Sequence, residues 1–329
     1  MKGFIIYPTY KVINGKAYVM LYGKLENNKS FLTINEYKPY FYIKTSDLKK
    51  ASKLGEFESQ ETKLTNFNKE LVTKITIDNP KEIPTLRDSF IEHEIEVYEA
   101  DIRFATRFLI DNNIQGSLEI KGEYSPGNEF VDLIFQEPEL KPSNYVPTNL
   151  RILSLDIETS FDGKKLFCIG LYSKNYSKSF IVSKTKVENS LNFENEEELL
   201  EAFQKEVHDF DPDIITGWSV IDFDLQYLRN KFNKYKIPFN LNRENSLSKI
   251  KLERNFFRSS KADFPGRVVL DGLDLMKASF IKLPNYKLNT AAKHFLKKSK
   301  IIEKTGKEKY EEIDNLYKAN KKKLIEYNI

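Results

Sequence analysis

The 329-residue chain has a single cysteine, which excludes any disulfide within it. Cys168 lies in the apolar run Leu166–Leu171 and reads as a small core residue rather than a reactive thiol. His93, His208 and His294 stand far apart with no ligand or partner spacing, so neither a zinc site nor a serine-type triad is supported. No apolar run approaches the roughly 20 residues needed to span a bilayer. The opening Gly3–Tyr7 stretch is cut short by Pro8 and lacks the pattern of a secretory leader. These absences predict a cytoplasmic protein with no membrane partner. Internal repeats and low-complexity tracts are also missing. Net charge is only +4, but residues 293–323 hold eleven lysines against five acids, a local +6 that leaves −2 for the rest. Such a segment can follow a phosphate backbone or simply solvate a helix face.

What is present suits a globular chain of about two domains, each large enough for its own core. Residues 1–145 read as strands and turns with a few helices. Asn14-Gly15 between Tyr7–Val12 and Lys16–Tyr22 is a hairpin signal, because both turn positions need positive φ. Phe31–Ile34 and Tyr40–Ile43 are further strands. Ser46 is expected to cap a short helix through Ala51, and Asn79-Pro80 to open another carrying Ile83, Leu86 and Phe90. Phe104–Asp111 gives a third. Periodicity weakens between Gly122 and Pro147, where four prolines punctuate the chain and the domain boundary is expected.

Residues 146–329 alternate strand and helix, predicting a mixed α/β fold with helices flanking a mixed sheet. Leu153, Leu155 and Ile157 alternate with Ser154, Asp156 and Glu158, a strand with the two acids on one face and their Cα atoms about 6.6 Å apart. Leu166–Tyr172 and Ser179–Val182 continue the sheet. A helix over Glu196–Phe210 carries Leu199, Leu200, Phe203 and Val207 on one stripe. Asp213–Thr216 and Arg267–Leu270 are strands, and helices are expected at Leu273–Phe280 and Leu288–Leu296. Tyr310, Ile313, Tyr317, Leu324 and Tyr327 mark one final helix. Asp224 heads a helix-like segment with Leu225, Leu228 and Phe232, and its neighbour Asp222 is expected to cap it. Asp271, between a strand and a helix, reads as a helix cap. A lone Asp-x-Glu is more often a solvated pair than a metal site. Three acids converging from a strand and a helix start suit hard divalent cations, which prefer oxygen ligands.

Leu155-Asp156-Ile157-Glu158-Thr159 resembles the first exonuclease motif of family B DNA polymerases. Thr216-Gly217-Trp218-Ser219 with Phe223-Asp224-x-x-Tyr227-Leu228 is similar to the second. Tyr327-Asn328-Ile329 is similar to the opening of the third, a Tyr-x-x-x-Asp pattern whose Asp would fall at position 331. Lys38–Tyr42, Tyr98–Ala105, Gly266–Gly272 and Tyr286–Leu288 add to the resemblance, and Asp271-Gly272 with Arg243-x-Asn245-Ser246 is most similar to the bacterial DNA polymerase II branch.

The resemblance implies a polymerase N-terminal domain over 1–145 and a ribonuclease-H-like 3′→5′ exonuclease domain over 146–329, ending inside its third motif. It implies two Mg²⁺ or Mn²⁺ ions, with Asp156 bridging both, Glu158 serving the ion that activates water and Asp224 the other through water. Tyr327 would orient the attacking water. Phe223 would stack on the unpaired 3′ end, touched also by Thr159 and the residue at 219. The family usually has Asn there, whereas this chain has the shorter-reaching Ser219. The 240–265 stretch, with Phe256 and Phe257, falls where the family carries a strand-separating hairpin. The implied partners are DNA, the polymerase palm, fingers and thumb, and a sliding clamp for the parent enzyme. The expected activity is proofreading hydrolysis that releases nucleoside monophosphates, weak or absent in this chain because the fourth acid lies beyond its last residue. The competing readings are a non-catalytic nucleic-acid-binding module and a stand-alone exonuclease of the same fold.

Overall fold

A computed structural model of the chain describes residues 1–253, 259–298 and 306–328. Phe256, Phe257 and part of the lysine-rich segment lie outside the described residues. The contacts divide the chain into two compact units, Met1–Pro147 and Thr148–Ile329.

In the first unit, Asn14 and Gly15 both take positive φ, +51° and +79°, and turn Lys2–Ile13 back onto Lys16–Leu25. These are the centre of a seven-stranded sheet whose order is Glu139–Pro142, Ser117–Lys121, Lys2–Ile13, Lys16–Leu25, Ser30–Glu36, Leu133–Gln136, Tyr124–Pro126. Three of those strands lie in the stretch where sequence periodicity fades. They are short, and Leu133–Gln136, to which Tyr124–Pro126 pairs, joins the sheet through the distant strand Ser30–Glu36, so local pattern carries little of their signal. A four-stranded sheet is built from Glu58–Thr65, Leu71–Thr76, Tyr40–Lys44 and Val97–Tyr98. Asn79 caps a turn that leads into the helix Ile83–Glu92, its side chain accepting from the Lys81 N–H. Ser46 does not cap. It sits inside a tight turn, Thr45–Asp47, and Leu48–Ala51 that follows has no side-chain cap.

The second unit is a six-stranded mixed sheet in the order Leu191–Phe193, Tyr176–Val182, Leu166–Ser173, Ile152–Thr159, Ile214–Gly217, Val268–Asp271. Ile152–Thr159 is central, antiparallel to Leu166–Ser173 and parallel to Ile214–Gly217. Its alternation separates two environments. Leu153, Leu155 and Ile157 pack into the main core with Leu199, Leu200 and Phe203 of the helix Glu196–Phe210 and with Leu225, Leu228 and Phe232. That helix starts where sequence rules put it, with the Asn195 side chain accepting from the Glu198 N–H and three glutamates in the first turn. A smaller cluster joins Phe167, Cys168 and Ile181 to Ile313, Leu324 and Ile325 near the end of the chain.

The expected single final helix is two, Lys307–Ala319 and Lys321–Asn328. Asn320 leaves helical conformation at φ −150°, ψ 73°, and its side chain accepts from the Lys323 N–H, so it ends one helix and caps the next. Among the described residues no helix is long and apolar enough to cross a membrane.

Candidate active site

Asp156 and Glu158 leave the central strand on the face opposite its leucines. Glu158 is buried at 5% exposure, and the strand register slips between Glu158 and Thr159. Asp156 pairs across the sheet with Gly170. A Cβ on Gly170 would meet Asn328 Oδ1 at 2.6 Å and its carbonyl oxygen at 2.7 Å. The missing side chain therefore lets the last helix lie close against the sheet. From that position Asn328 Nδ2 donates to Asp156 Oδ2 at 3.0 Å.

Asp224 arrives from the strand Ile214–Gly217 and the corner that follows. That strand pairs with the carboxylate strand only as far as Ser154. Further along, the Ile157 N–H donates to Asp224 Oδ1 at 3.0 Å, so the carboxylate serves as a partner where the ladder has ended. Asp224 does not sit at a helix start. Ile221–Leu225 forms a wide π-type turn, with Leu225 N–H donating to the Val220 carbonyl five residues back, and the α-helix Gln226–Tyr235 continues from it. Turns of this kind recur at functional sites. Asp222 is not the cap, since the residue before the turn is Val220, with no side-chain bond, and Asp222 itself is exposed.

Asp156, Glu158 and Asp224 line one cavity of about 670 Å³, together with Thr159, Ser219, Phe223 and Tyr327. All seven residues singled out in the sequence therefore share a wall. Phe223 is 43% exposed, too open for a core ring. Thr159 is buried at 5% exposure, and Ser219 holds a left-handed φ of +60°. Tyr327 both packs against the cluster around Ile313 and Leu324 and faces the cavity.

The cavity has further residues that the sequence did not single out. Lys309 reaches it beside Tyr327, its Nζ 5.8 Å from the centre of that ring. Burial works against the Lys309 ammonium, but Glu158, Tyr327 and Asp156 together hold its pKa above the ordinary lysine value. Nothing in a lysine-rich run distinguishes this lysine. Trp218 and Tyr286, both within stretches that carry the resemblance, line it too, joined by a Trp218 Nε1 hydrogen bond to the Tyr286 carbonyl at 3.2 Å.

Burial, reinforced by the nearby Asp156 charge, pushes the Asp224 carboxyl well above the usual aspartate range. Beneath the acids, burial raises the Cys168 thiol, with Glu158 and Asp156 adding to it. The donor set is all oxygen, which fits a hard divalent cation, and the raised Asp224 carboxyl comes from burial beside the Asp156 charge. Among the described residues, no three His, Cys, Asp or Glu side chains are gathered closely enough to enclose an ion. The acids share a wall without closing into a chelate.

Comparison with known proteins adds the ancestry. The family model described as DNA polymerase family B, exonuclease domain, matches residues 95–170 and 162–291. The chain is 29% identical over 246 residues to DNA polymerase II of Escherichia coli, covering 72% of this chain and 30% of that protein. It is 28% identical over 327 residues to a DNA polymerase of Archaeoglobus fulgidus, covering 94% of this chain and 39% of that one. The family B DNA polymerase structure from Pyrobaculum calidifontis superposes with a TM-score of 0.78 at 17% identity, over 100% of this chain and 44% of that one, a likeness of fold. The chain thus spans less than half the length of these relatives. A match covering more than half of its residues, in the region that carries the acids, means that the chain belongs to DNA polymerase family B through its exonuclease domain.

Proposed function

We propose that the Thr148–Ile329 unit hydrolyses DNA from the 3′ end, as the proofreading part of a cytoplasmic, polymerase II-like DNA polymerase. The observation that carries this reading is the common wall formed by Asp156, Glu158 and Asp224, bordered by the exposed ring of Phe223. The three carboxylates would hold two divalent cations, Mg²⁺ or Mn²⁺. Cations there supply Lewis acidity toward the phosphodiester and make water more acidic. The chain's own residues do the rest. Phe223 stacks on the unpaired terminal base, a contact that every base accepts. Thr159 and Ser219 hydrogen-bond the same strand, and Tyr327, beside Lys309, orients the attacking water. Release of a nucleoside monophosphate needs no covalent intermediate. Polymerisation and a sliding clamp belong to the same proposal for the whole enzyme.

The test is digestion of a 3′-labelled single-stranded oligonucleotide by the parent polymerase with Mg²⁺ or Mn²⁺. Replacing Asp156 and Glu158 together by Ala is expected to abolish digestion while the fold persists, and undiminished digestion by that variant refutes the site. A second reading, a DNA-binding module without hydrolysis, is favoured by the open arrangement of the acids. It predicts single-strand binding that is indifferent to the cation and to the double substitution.

A further inference from the structure

We propose that Asp271 is a positioning residue of the cleavage site, holding the corner that aims Asp224; this rests on the hydrolytic reading above. Its sequence role is a helix cap, and the cap exists: the Leu273 N–H donates to Asp271 Oδ1 at 2.9 Å. Capping alone leaves most of this carboxylate's contacts unexplained. The Ser219 N–H donates to the same oxygen at 3.0 Å, and the Ile221 N–H to Oδ2 at 3.2 Å. One carboxylate, 6% exposed, thus takes three backbone amides, two of them from the turn that leads into Asp224.

The corner needs such a partner. Val220, which precedes the wide turn, offers no side-chain cap, so the first free N–H groups of Ile221–Leu225 must find an acceptor elsewhere. Sheet register supplies it, because Gly217 and Asp271 are directly paired at the ends of parallel strands. The approach is close. A Cβ on Gly217 would lie 2.6 Å from the Leu155 carbonyl, and one on Gly272 would lie 3.0 Å from the Gly217 carbonyl. Asp224 is then fixed from two directions, its oxygen by the Ile157 N–H and the backbone of its turn by Asp271. Without the second hold, the turn is free to relax toward ordinary α spacing and rotate Asp224 away from Asp156.

The test uses the parent polymerase carrying Asp271→Ser or Asp271→Asn. Serine is a good helix cap, so Asp271→Ser keeps the ordinary role and gives up the corner amides. Asparagine keeps one acceptor oxygen for Ser219 and Leu273 but sets an NH₂ against the Ile221 N–H. Both variants are expected to melt within a few degrees of wild type. In both, amide exchange at Ile221 should rise about tenfold or more. Mn²⁺ affinity, read by electron paramagnetic resonance, and kcat on a single-stranded oligonucleotide should each fall about 10–100-fold, as for other residues that orient metal-holding groups, with KM nearly unchanged. Unchanged Ile221 exchange in Asp271→Ser overturns the proposal whether or not the chain digests DNA. So does loosened exchange with wild-type Mn²⁺ affinity and kcat. Failure of the hydrolytic reading shows itself separately, as Mn²⁺ binding and digestion that survive Asp156→Ala with Glu158→Ala.

Discussion

Ser219 is one of the non-glycine residues whose backbone takes a left-handed φ, here at the edge of the cavity. At φ +60° its Cβ crowds the backbone, a conformation costing roughly 1–2 kcal/mol for an L-residue. Glycine removes that cost but surrenders about 0.5–1 kcal/mol of extra freedom in the unfolded chain. Ser219→Gly should therefore stabilise the Thr148–Ile329 unit by about 0.5–1 kcal/mol, or about 1–4 °C for a domain of this size. Asparagine is several-fold enriched at left-handed φ and should recover part of the gain. Its longer side chain should also tighten single-strand binding, since Ser219 lines the cavity. Ser219→Ala keeps the Cβ and should gain nothing. Thermal melts of the three variants, with fluorescence anisotropy on a labelled oligonucleotide, decide the matter. A gain in Ser219→Ala equal to that in Ser219→Gly, or none in Ser219→Gly, would refute backbone strain as the source.

Two further outcomes follow from the acids and the exposed ring. Asp224 has its folded-state pKa raised by burial and by Asp156, so it favours the protonated fold; its contribution is present below the ordinary value of 3.8 and is lost as pH rises through the raised one. In chelator, Asp224→Asn should gain melting temperature relative to wild type as pH rises above that ordinary value, and parallel melting curves would contradict this. Phe223→Ala should weaken single-strand binding by about 1–3 kcal/mol with little change in melting temperature, because the ring is 43% exposed; lost stability with unchanged binding would make Phe223 a packing residue.

The carboxylate strand was legible because one of its faces is a core, so period-2 alternation had to separate Leu153, Leu155 and Ile157 from Asp156 and Glu158. The helix Glu196–Phe210 was legible for the same reason, with Asn195 marking its start. The features that escaped are made by distant partners. The wide turn at Ile221–Leu225 looks locally like a helix start, and its form depends on an aspartate fifty residues later. Gly170 is one small residue in an apolar run until Asn328 lies across it. Lys309 has no neighbour in sequence that distinguishes it from the lysines around it. Asp222 was read as a cap because capping rules assume a simple helix start, and the chain enters this helix through a turn already under way.

The break at Asn320 has a geometric consequence. Lys309 and Tyr327 are eighteen residues apart, and along one continuous helix that separation would amount to about 27 Å. They meet across a single cavity because the chain doubles back between them. One residue out of helical register thus converts a rod into a clasp, with Lys309 and Tyr327 at its tips. Straightening the connection, as an Ala-rich replacement of Ala319–Lys321 would encourage, should part Lys309 from Tyr327 and draw Asn328 away from Asp156, with no acid of the site substituted. The reach of this site is set by a joint in the chain as much as by the side chains at its rim.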